Sequence, residues 1–186
     1  GQKRGCLTIT EPNAGSDVQA IQTTAKLDGD EYVLNGTKMF VTNGLRGGIF
    51  AVLAKTDPSA QPRHRGISCF IVERDATPGF QVSREIHKLG YKGTDTAEVV
   101  FNNARVPVGN LLGGFEGRGF QQAMGGLEVG RLNVAARAVG VAQAAFDDAI
   151  RYAQQRETFG QPIAEHQAIQ MKLAEMATKI EAGRLL

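Results

Sequence analysis

The stretch of residues 10–17 has the composition of an anion-binding turn. A predicted strand ends in Thr10, and a tight turn containing Pro12 and Gly15 follows it. Backbone N–H groups in such a turn, together with the Ser16 hydroxyl, would line a site for a negatively charged group. The alternative is an ordinary turn capped by Ser16 or Asp17, and composition alone favours that interpretation.

A second polar strand end lies at Thr42. Residues 38–44 read Lys-Met-Phe-Val-Thr-Asn-Gly, which predicts a strand followed by a turn at Asn43-Gly44. Taken alone, this pattern is typical of a core strand.

Other common chemistries find little support. The three histidines, His64, His87 and His166, have no Cys or carboxylate at metal-ligand spacing, so no metal site is predicted. No Gly-x-Ser-x-Gly nucleophile motif occurs. The glycine-rich residues 109–119 do not follow a strand in the dinucleotide-binding pattern, and they are interpreted as a domain linker that enters a helix.

Composition is that of an ordinary globular chain. The 186 residues include 21 basic and 19 acidic side chains, for a net charge of +2, and 42% are apolar. The apolar content argues against a disordered chain, because disordered chains are poorer in apolar residues. The small net charge argues against non-specific nucleic-acid binding, which needs a basic excess. Two cysteines, Cys6 and Cys69, are too few for a disulfide framework. No apolar run approaches the roughly 18 residues of a membrane span.

Residues 1 to about 108 are predicted to form a β domain. Turn signals at Asp28-Gly29, Asn35-Gly36 and Asn43-Gly44 separate short apolar runs, and the first two favour two-residue hairpins. Short strands at this spacing favour a barrel or a sandwich. The predicted strands are residues 6–10, 32–34, 38–42, 50–55, 67–72 and 98–101.

From about residue 117 the apolar spacing becomes helical. The pattern predicts a helix of about 38 residues, about 57 Å long, and a second helix after a break at Phe159-Gly160. Helices joined by about six residues are predicted to form an antiparallel pair. A pair cannot bury both of its apolar faces, so the chain is interpreted as part of a longer protein.

Four motifs, in order, resemble the acyl-CoA dehydrogenase family. They are residues 10–17, 34–44, 88–96 and 156–163, and residues 165–177 also fit. Each motif is moderately specific, and their combined order and spacing over all 186 residues make the resemblance strong.

The resemblance implies an α+β fold. Residues 1–110 would form an antiparallel, barrel-like middle domain, and residues 111–186 would form the first two long helices of a C-terminal four-helix bundle. The family's N-terminal helical domain would lie outside these residues.

The resemblance also implies an FAD-dependent oxidoreductase. Family members remove the α-proton of an acyl-CoA thioester and pass the β-hydrogen to flavin N5, giving a trans-2-enoyl-CoA. Electrons then go to an electron-transfer flavoprotein. Many relatives have Trp where this chain has Phe40, which lacks the indole N–H donor, so transfer to that acceptor is expected to be altered. The implied cofactor-binding residues are Leu7, Ile9, Thr10, Gly15, Ser16, Phe40, Val41, Thr42, Arg156, Thr158, Phe159 and Gln167.

The implied substrate-binding residues are Ser16, His64, Glu128 and Arg131. Arg63 and Arg65 flank His64 in a loop expected near the CoA nucleotide. No catalytic base is identified, because the family's Glu lies either downstream of Leu186 or at the position of Gly130, which takes no proton.

Arg156, Thr158, Phe159 and Gln167 are expected to reach the FAD of a neighbouring subunit, in a homotetramer or heterotetramer. Their turn ends a helix about 57 Å long, far along the chain from the β domain. The compartment would be the cytoplasm of a bacterium or the mitochondrial matrix of a eukaryote. Two alternatives stay open on the same fold: an acyl-CoA oxidase or flavin monooxygenase, and a non-catalytic subunit of a heteromer.

Overall fold

The computed structural model describes residues 1–186 and contains nine strands and two long helices. Seven strands precede the first helix, and a two-stranded hairpin separates the two helices. In chain order the elements are β1 (Gly5–Thr8), β2 (Thr24–Asp28), β3 (Glu31–Thr42), β4 (Ile49–Lys55), β5 (Ile67–Glu73), β6 (Phe80–Glu85), β7 (Thr96–Pro107), α1 (Gly119–Gln155), β8 (Glu157–Thr158), β9 (Gln161–Pro162) and α2 (Gln167–Leu185).

The first seven strands form one mixed sheet. β5 pairs antiparallel with one edge of β4, while β1 and β2 pair parallel with successive parts of its other edge. β2, β3, β7 and β6 then continue the sheet with antiparallel pairings. Parallel neighbours need a long connection, and the β2–β3 hairpin lies within the connection from β1 to β4. The predicted α+β class is confirmed, although two pairings are parallel.

The predicted turn at Asn35-Gly36 is wrong, because β3 runs through this pair without a break. The Asn35 carboxamide instead bonds Asn103, accepting its N–H at 2.8 Å and donating to its side-chain oxygen at 3.1 Å. Asn103 has a φ of 49° in an irregular part of β7. A Cβ on Gly36 would overlap Thr23. Asn35 therefore pairs with the bulge of β7, and Gly36 allows the backbone of β3 to lie close to Thr23.

The predicted turns at Gly29 and at Asn43-Gly44 are confirmed. Asp28 pairs with Glu31 across a two-residue hairpin loop that begins with Gly29, whose φ is 66°. Gly44 N donates to Val41 O at 3.1 Å. Side chains from alternating strand positions meet in one apolar core, which includes Leu34, Phe50, Val52, Phe70, Val99 and Phe101.

The chain divides into two compact units, Gly1–Met124 and Gly125–Leu186. α1 has 37 residues, close to the predicted 38, and the unit boundary falls inside it. The domain boundary expected between residues 110 and 111 stays a prediction. The glycine-rich residues 109–119 contain short 3₁₀ turns and the start of α1, as predicted for a linker entering a helix.

In the second unit, α1 and α2 pack antiparallel, as predicted. The Arg184 guanidinium donates to the Gln143 side chain at 2.7 Å, whereas Ala149 and Met176 share a groove further along the pair. Residues 156–166 connect the helices, which is longer than predicted because β8, β9 and a 3₁₀ turn lie between them. Large apolar side chains of α1 stay exposed, among them Val129, Leu132, Val134 and Val141. Neither helix has an apolar stretch long enough to cross a membrane.

Candidate functional site

The turn after Thr10 carries unused hydrogen-bond donors. Two backbone hydrogen bonds between Glu11 and Ala14 close it, with N···O distances of 2.8 and 3.2 Å. The next two residues, Gly15 and Ser16, are exposed, and their N–H groups have no protein acceptor. The Ser16 hydroxyl also has no protein partner. This concentration of free donors is the feature that an anion site requires.

The turn after β1 lies beside β3. Met39 N donates to Thr10 O at 2.8 Å, which joins the turn after β1 to the middle of β3. β3 contains a bulge between Lys38 and Val41, where three steps along β3 oppose two along β7. Phe40 occupies this bulge with a φ of 56° and a side chain that is 59% exposed. Bulky residues rarely adopt this conformation, and bulges often re-aim a side chain beside a functional site.

The remaining β-domain residues divide between the surface and the core. Leu7 and Thr42 are exposed and Thr10 is half-buried, whereas Ile9 and Val41 are buried. The Thr42 hydroxyl has no protein partner. Ile9 and Val41 would therefore meet a bound ligand through their backbone, while Leu7, Phe40 and Thr42 offer side chains to it.

The turn after Thr42 is held by Asp95, which sequence reasoning missed. Leu45 N donates to the Asp95 carboxylate at 2.8 Å, and Asn43 N donates to Asp95 O at 3.0 Å. The Arg46 guanidinium lies 4.0 Å from the same carboxylate. These contacts fix the end of β3, and with it the Thr42 hydroxyl.

A fully buried ion pair lies beneath the exposed strand ends, and it too was missed. Lys38 Nζ is 2.7 Å from Glu11 Oε1 and donates to Ile9 O at 3.0 Å. The Glu11 carboxylate also accepts the N–H groups of Gln22 and Thr23. The sequence did carry a signal for this burial. Side chains of a strand alternate between its two faces, and Lys38 is separated by even numbers of residues from Tyr32 and Leu34, which are buried positions of β3.

Burial and the opposite charge act against each other at both members of this pair. Burial lowers the pKa of Lys38 to about 8, although the Glu11 charge opposes the shift. Burial also raises the pKa of Glu11, but the charge and hydrogen bond of Lys38 and the Gln22 N–H outweigh it. The pKa of the Glu11 carboxyl therefore lies below its ordinary value.

The loop containing His64 presents two free cations. Residues Arg63–Gly66 form a 3₁₀ turn in which Arg63 and Arg65 are exposed and without an ion-pair partner. The His64 ring is half-buried and lies 5.4 Å from the Phe120 ring, centroid to centroid. The histidine is thus anchored by an aromatic contact, while the arginines face solvent.

The second unit presents its predicted site residues on a tight hairpin. Phe159 and Gly160 form the two-residue turn between β8 and β9, with φ values of 53° and 78°. Positive φ at both positions is the pattern of a type I′ turn. The Phe159 side chain is 97% exposed, and its ring stands edge-on to His166 at 6.0 Å. The Thr158 hydroxyl lies 3.0 Å from His166 Nε2.

The other second-unit candidates are exposed. Arg156 and Gln167 flank the hairpin, and neither side chain has a protein partner. Glu128 and Arg131 are exposed on α1 without an ion pair between them. Gly130 lies between these two residues on α1. Helical geometry turns Glu128 by about 200° from that position.

Two family models together match most of the chain. The middle domain of acyl-CoA dehydrogenases matches residues 6–104, and the C-terminal domain of the same family matches residues 117–186. The break between them falls in the glycine-rich linker.

Curated relatives match the whole chain. An acyl-CoA dehydrogenase of Bacillus subtilis is 50% identical over 186 residues, which is 100% of this chain and 48% of the relative. The human mitochondrial short-chain specific acyl-CoA dehydrogenase is 44% identical, over 100% of this chain and 44% of the relative. The chain thus spans about half the length of these relatives.

Solved structures share the fold. The butyryl-CoA dehydrogenase of Megasphaera elsdenii matches with a TM-score of 0.92 and 45% identity, covering 98% of this chain and 47% of that one. A glutaryl-CoA dehydrogenase of Mycobacterium smegmatis in complex with FADH2 matches with a TM-score of 0.87 and 36% identity, covering 98% and 45%.

Proposed function

Since this chain belongs to the acyl-CoA dehydrogenase family, we propose that the protein containing it oxidises an acyl-CoA thioester to a trans-2-enoyl-CoA with FAD as cofactor. The observation that carries the proposal is the hydrogen bond from Met39 N to Thr10 O, which joins the turn after β1 to β3. That contact places an exposed bulged aromatic ring and a turn rich in free donors on neighbouring segments.

The residues present fit a dinucleotide flavin. The N–H groups of Gly15 and Ser16 and the Ser16 hydroxyl would bind the pyrophosphate, because they are donors without a protein acceptor. Leu7 and Phe40 would cover the apolar ring, and the Thr42 hydroxyl would donate to its N5 edge. Bound FAD would supply hydride acceptance at N5, and a donor beside that atom favours the charge that develops on reduction.

The substrate is proposed to be a short acyl-CoA. This follows from the names of two similar proteins, which are a short-chain specific and a butyryl-CoA dehydrogenase. The exposed guanidinium groups of Arg63 and Arg65 would bind phosphates of CoA, since they have no ion pair to break. Glu128 and Arg131 would contact the CoA arm. The residue that removes the α-proton is not among residues 1–186 in this proposal.

The second-unit residues are proposed to bind the FAD of a neighbouring subunit in a tetramer. Arg156 suits a pyrophosphate, because a guanidinium group donates two parallel hydrogen bonds to its oxygens. Phe159 is almost fully exposed at the tip of a two-residue turn, which suits contact with another chain. Thr158 and Gln167 lie within the same hairpin region.

An electron-transfer flavoprotein is the proposed electron acceptor, and oxygen is the second candidate. The second candidate rests on Phe40, an exposed ring that would cover the flavin without an N–H donor. A protein that consumes oxygen at the rate of substrate oxidation, with no flavoprotein partner, would be an oxidase.

The test uses the full-length protein and two variants of Thr42. The purified protein should be yellow and release FAD on denaturation, and anaerobic butyryl-CoA should bleach its flavin absorbance. Thr42→Val removes the hydroxyl and should slow flavin reduction by on the order of 100-fold, whereas Thr42→Ser keeps the donor and should stay near wild type. Stoichiometric NAD in place of FAD, or equal rates for the two variants, would contradict the proposal.

A further inference from the structure

The buried Lys38–Glu11 pair lies directly beneath the proposed flavin face. Lys38 has no exposed surface, and it is among the largest fully buried side chains of the protein. Lysine is almost never fully buried without a partner. The cost of removing both charges from water is high, and an apolar pair of similar volume often stabilises a fold as well or better. Stability alone therefore does not account for a lysine at this position.

The pair does what an apolar pair cannot, because it holds three chain segments by directed hydrogen bonds. Lys38 Nζ reaches both Ile9 O, at 3.0 Å, and Glu11 Oε1, at 2.7 Å. The same carboxylate accepts the N–H groups of Gln22, at 2.5 Å, and Thr23, at 3.0 Å. The chain leaving β1, the chain entering β2 and β3 itself are thereby joined at one buried point.

The segments that meet there are those that carry the proposed flavin contacts. Thr10 and Ile9 come one and two residues before Glu11, and Met39 and Phe40 come one and two residues after Lys38. The hydrogen bond from Met39 N to Thr10 O continues the same connection at 2.8 Å. Phe40 begins its left-handed bulge immediately beyond it.

We infer that the Lys38–Glu11 pair is a positioning device, which fixes the turn after β1 and the bulge of β3 in the arrangement that binds the flavin. Lys38 and Glu11 touch no cofactor themselves in this inference. They set the distance and orientation of Thr10 relative to Phe40, and through β3 the place of Thr42. The inference rests on the proposed FAD site, but the contacts that define the pair do not.

The test compares three variants of the full-length holoprotein. Lys38→Met keeps an unbranched side chain, one atom shorter, and removes the charge and donors. Val52→Ala is the matched control, because Val52 is equally buried in β4 but has no polar contact with the site. Lys3→Met controls for the loss of a lysine, since Lys3 pairs with Glu73 on the surface.

Lys38→Met should raise the FAD dissociation constant at least about tenfold and change the visible spectrum of the bound flavin. Val52→Ala and Lys3→Met should leave both nearly unchanged, even where Val52→Ala destabilises the fold as much. Amide hydrogen exchange should accelerate selectively at Met39, Gln22 and Thr23 in Lys38→Met. If FAD affinity falls equally in Lys38→Met and Val52→Ala, the pair is merely structural and the inference is overturned.

A second variant and the exchange measurement test the inference where Lys38→Met or FAD binding cannot. If Lys38→Met does not fold, Glu11→Asp retains both charges and withdraws the carboxylate by one methylene, so it should weaken FAD binding in the same direction. If the wild-type protein holds no FAD, the proposed function fails, and the exchange measurement alone decides the inference. Uniform acceleration across the sheet, rather than at the three amides, would then refute it.

Discussion

Titration of Lys38 should make the fold more stable as the pH rises in the alkaline range. Burial lowers the pKa of this lysine from its ordinary value of 10.5 to about 8, with Glu11 acting in the opposite direction. Between these two pH values the unfolded chain still binds a proton that the folded chain has released. The free energy of unfolding therefore increases with pH over that window.

The size of the effect follows from one proton. A difference of one bound proton changes the free energy of unfolding by about 1.4 kcal/mol per pH unit. From the folded-state pKa of about 8 to a practical limit near pH 9.5, the gain is about 2 kcal/mol. Well below pH 8 both states hold the proton, so this contribution to the pH dependence vanishes there.

The measurement is urea unfolding of the full-length protein at a series of pH values from 7 to about 9.5. The reference is the double variant Lys38→Met/Glu11→Gln, which removes both members of the pair. Other groups titrate equally in the two proteins. Lys3 is one of these, since its hydrogen bond to Glu73 raises its pKa and gives the opposite sign. A difference that stays flat or falls with pH would show that burial does not dominate at Lys38.

Three further predictions concern other parts of the chain. Replacing Arg63 and Arg65 with Ala should weaken acyl-CoA binding more than binding of a truncated pantetheine thioester, and equal losses in calorimetric titrations would contradict a CoA phosphate contact. Arg156→Ala should cost about 2–5 kcal/mol of FAD binding if it forms a buried charge-assisted contact, whereas Arg151→Ala, which removes a surface ion pair with Asp148, should leave FAD retention unchanged in equilibrium dialysis. Burial raises the pKa of both Cys6 and Cys69 to about 11, so mass spectrometry should find their peptides unlabelled by iodoacetamide at pH 8 until the protein is unfolded, and rapid labelling of native protein would refute their burial.

The parts of the fold that the sequence predicted are those governed by local spacing. The helical period of α1 indicated its end at residue 155 and its length to within about one residue. The turns at Gly29 and Asn43-Gly44 followed from residues that tolerate positive φ. Strands β2 and β6 were not predicted, because their apolar residues are few and their partners lie far away in the chain.

The parts that were missed depend on long-range contacts. Asn35-Gly36 has the composition of a turn, but pairing with Asn103 and the approach of Thr23 place it inside a strand. The proximity of Thr10 to Met39, and of Lys38 to Glu11, links residues nearly 30 positions apart, for which local spacing gives no information. The roles assigned to the site residues come from family motifs and stay predictions.

The two irregularities between β3 and β7 shift the pairing of the strands by one residue in opposite directions. β7 carries one extra residue near Asn103, and β3 carries one extra residue near Phe40, so the original pairing offset is restored by Thr42 and Thr96. Deleting Phe40 would leave a regular strand in which Val41 still opposes Ala97 in the core and Thr42 still opposes Thr96, because the extra residue of the bulge is the one removed. The deletion would, however, leave no bulge to expose an aromatic ring. Sheet pairing therefore does not need the extra residue of β3, and what that residue supplies is the exposed aromatic ring.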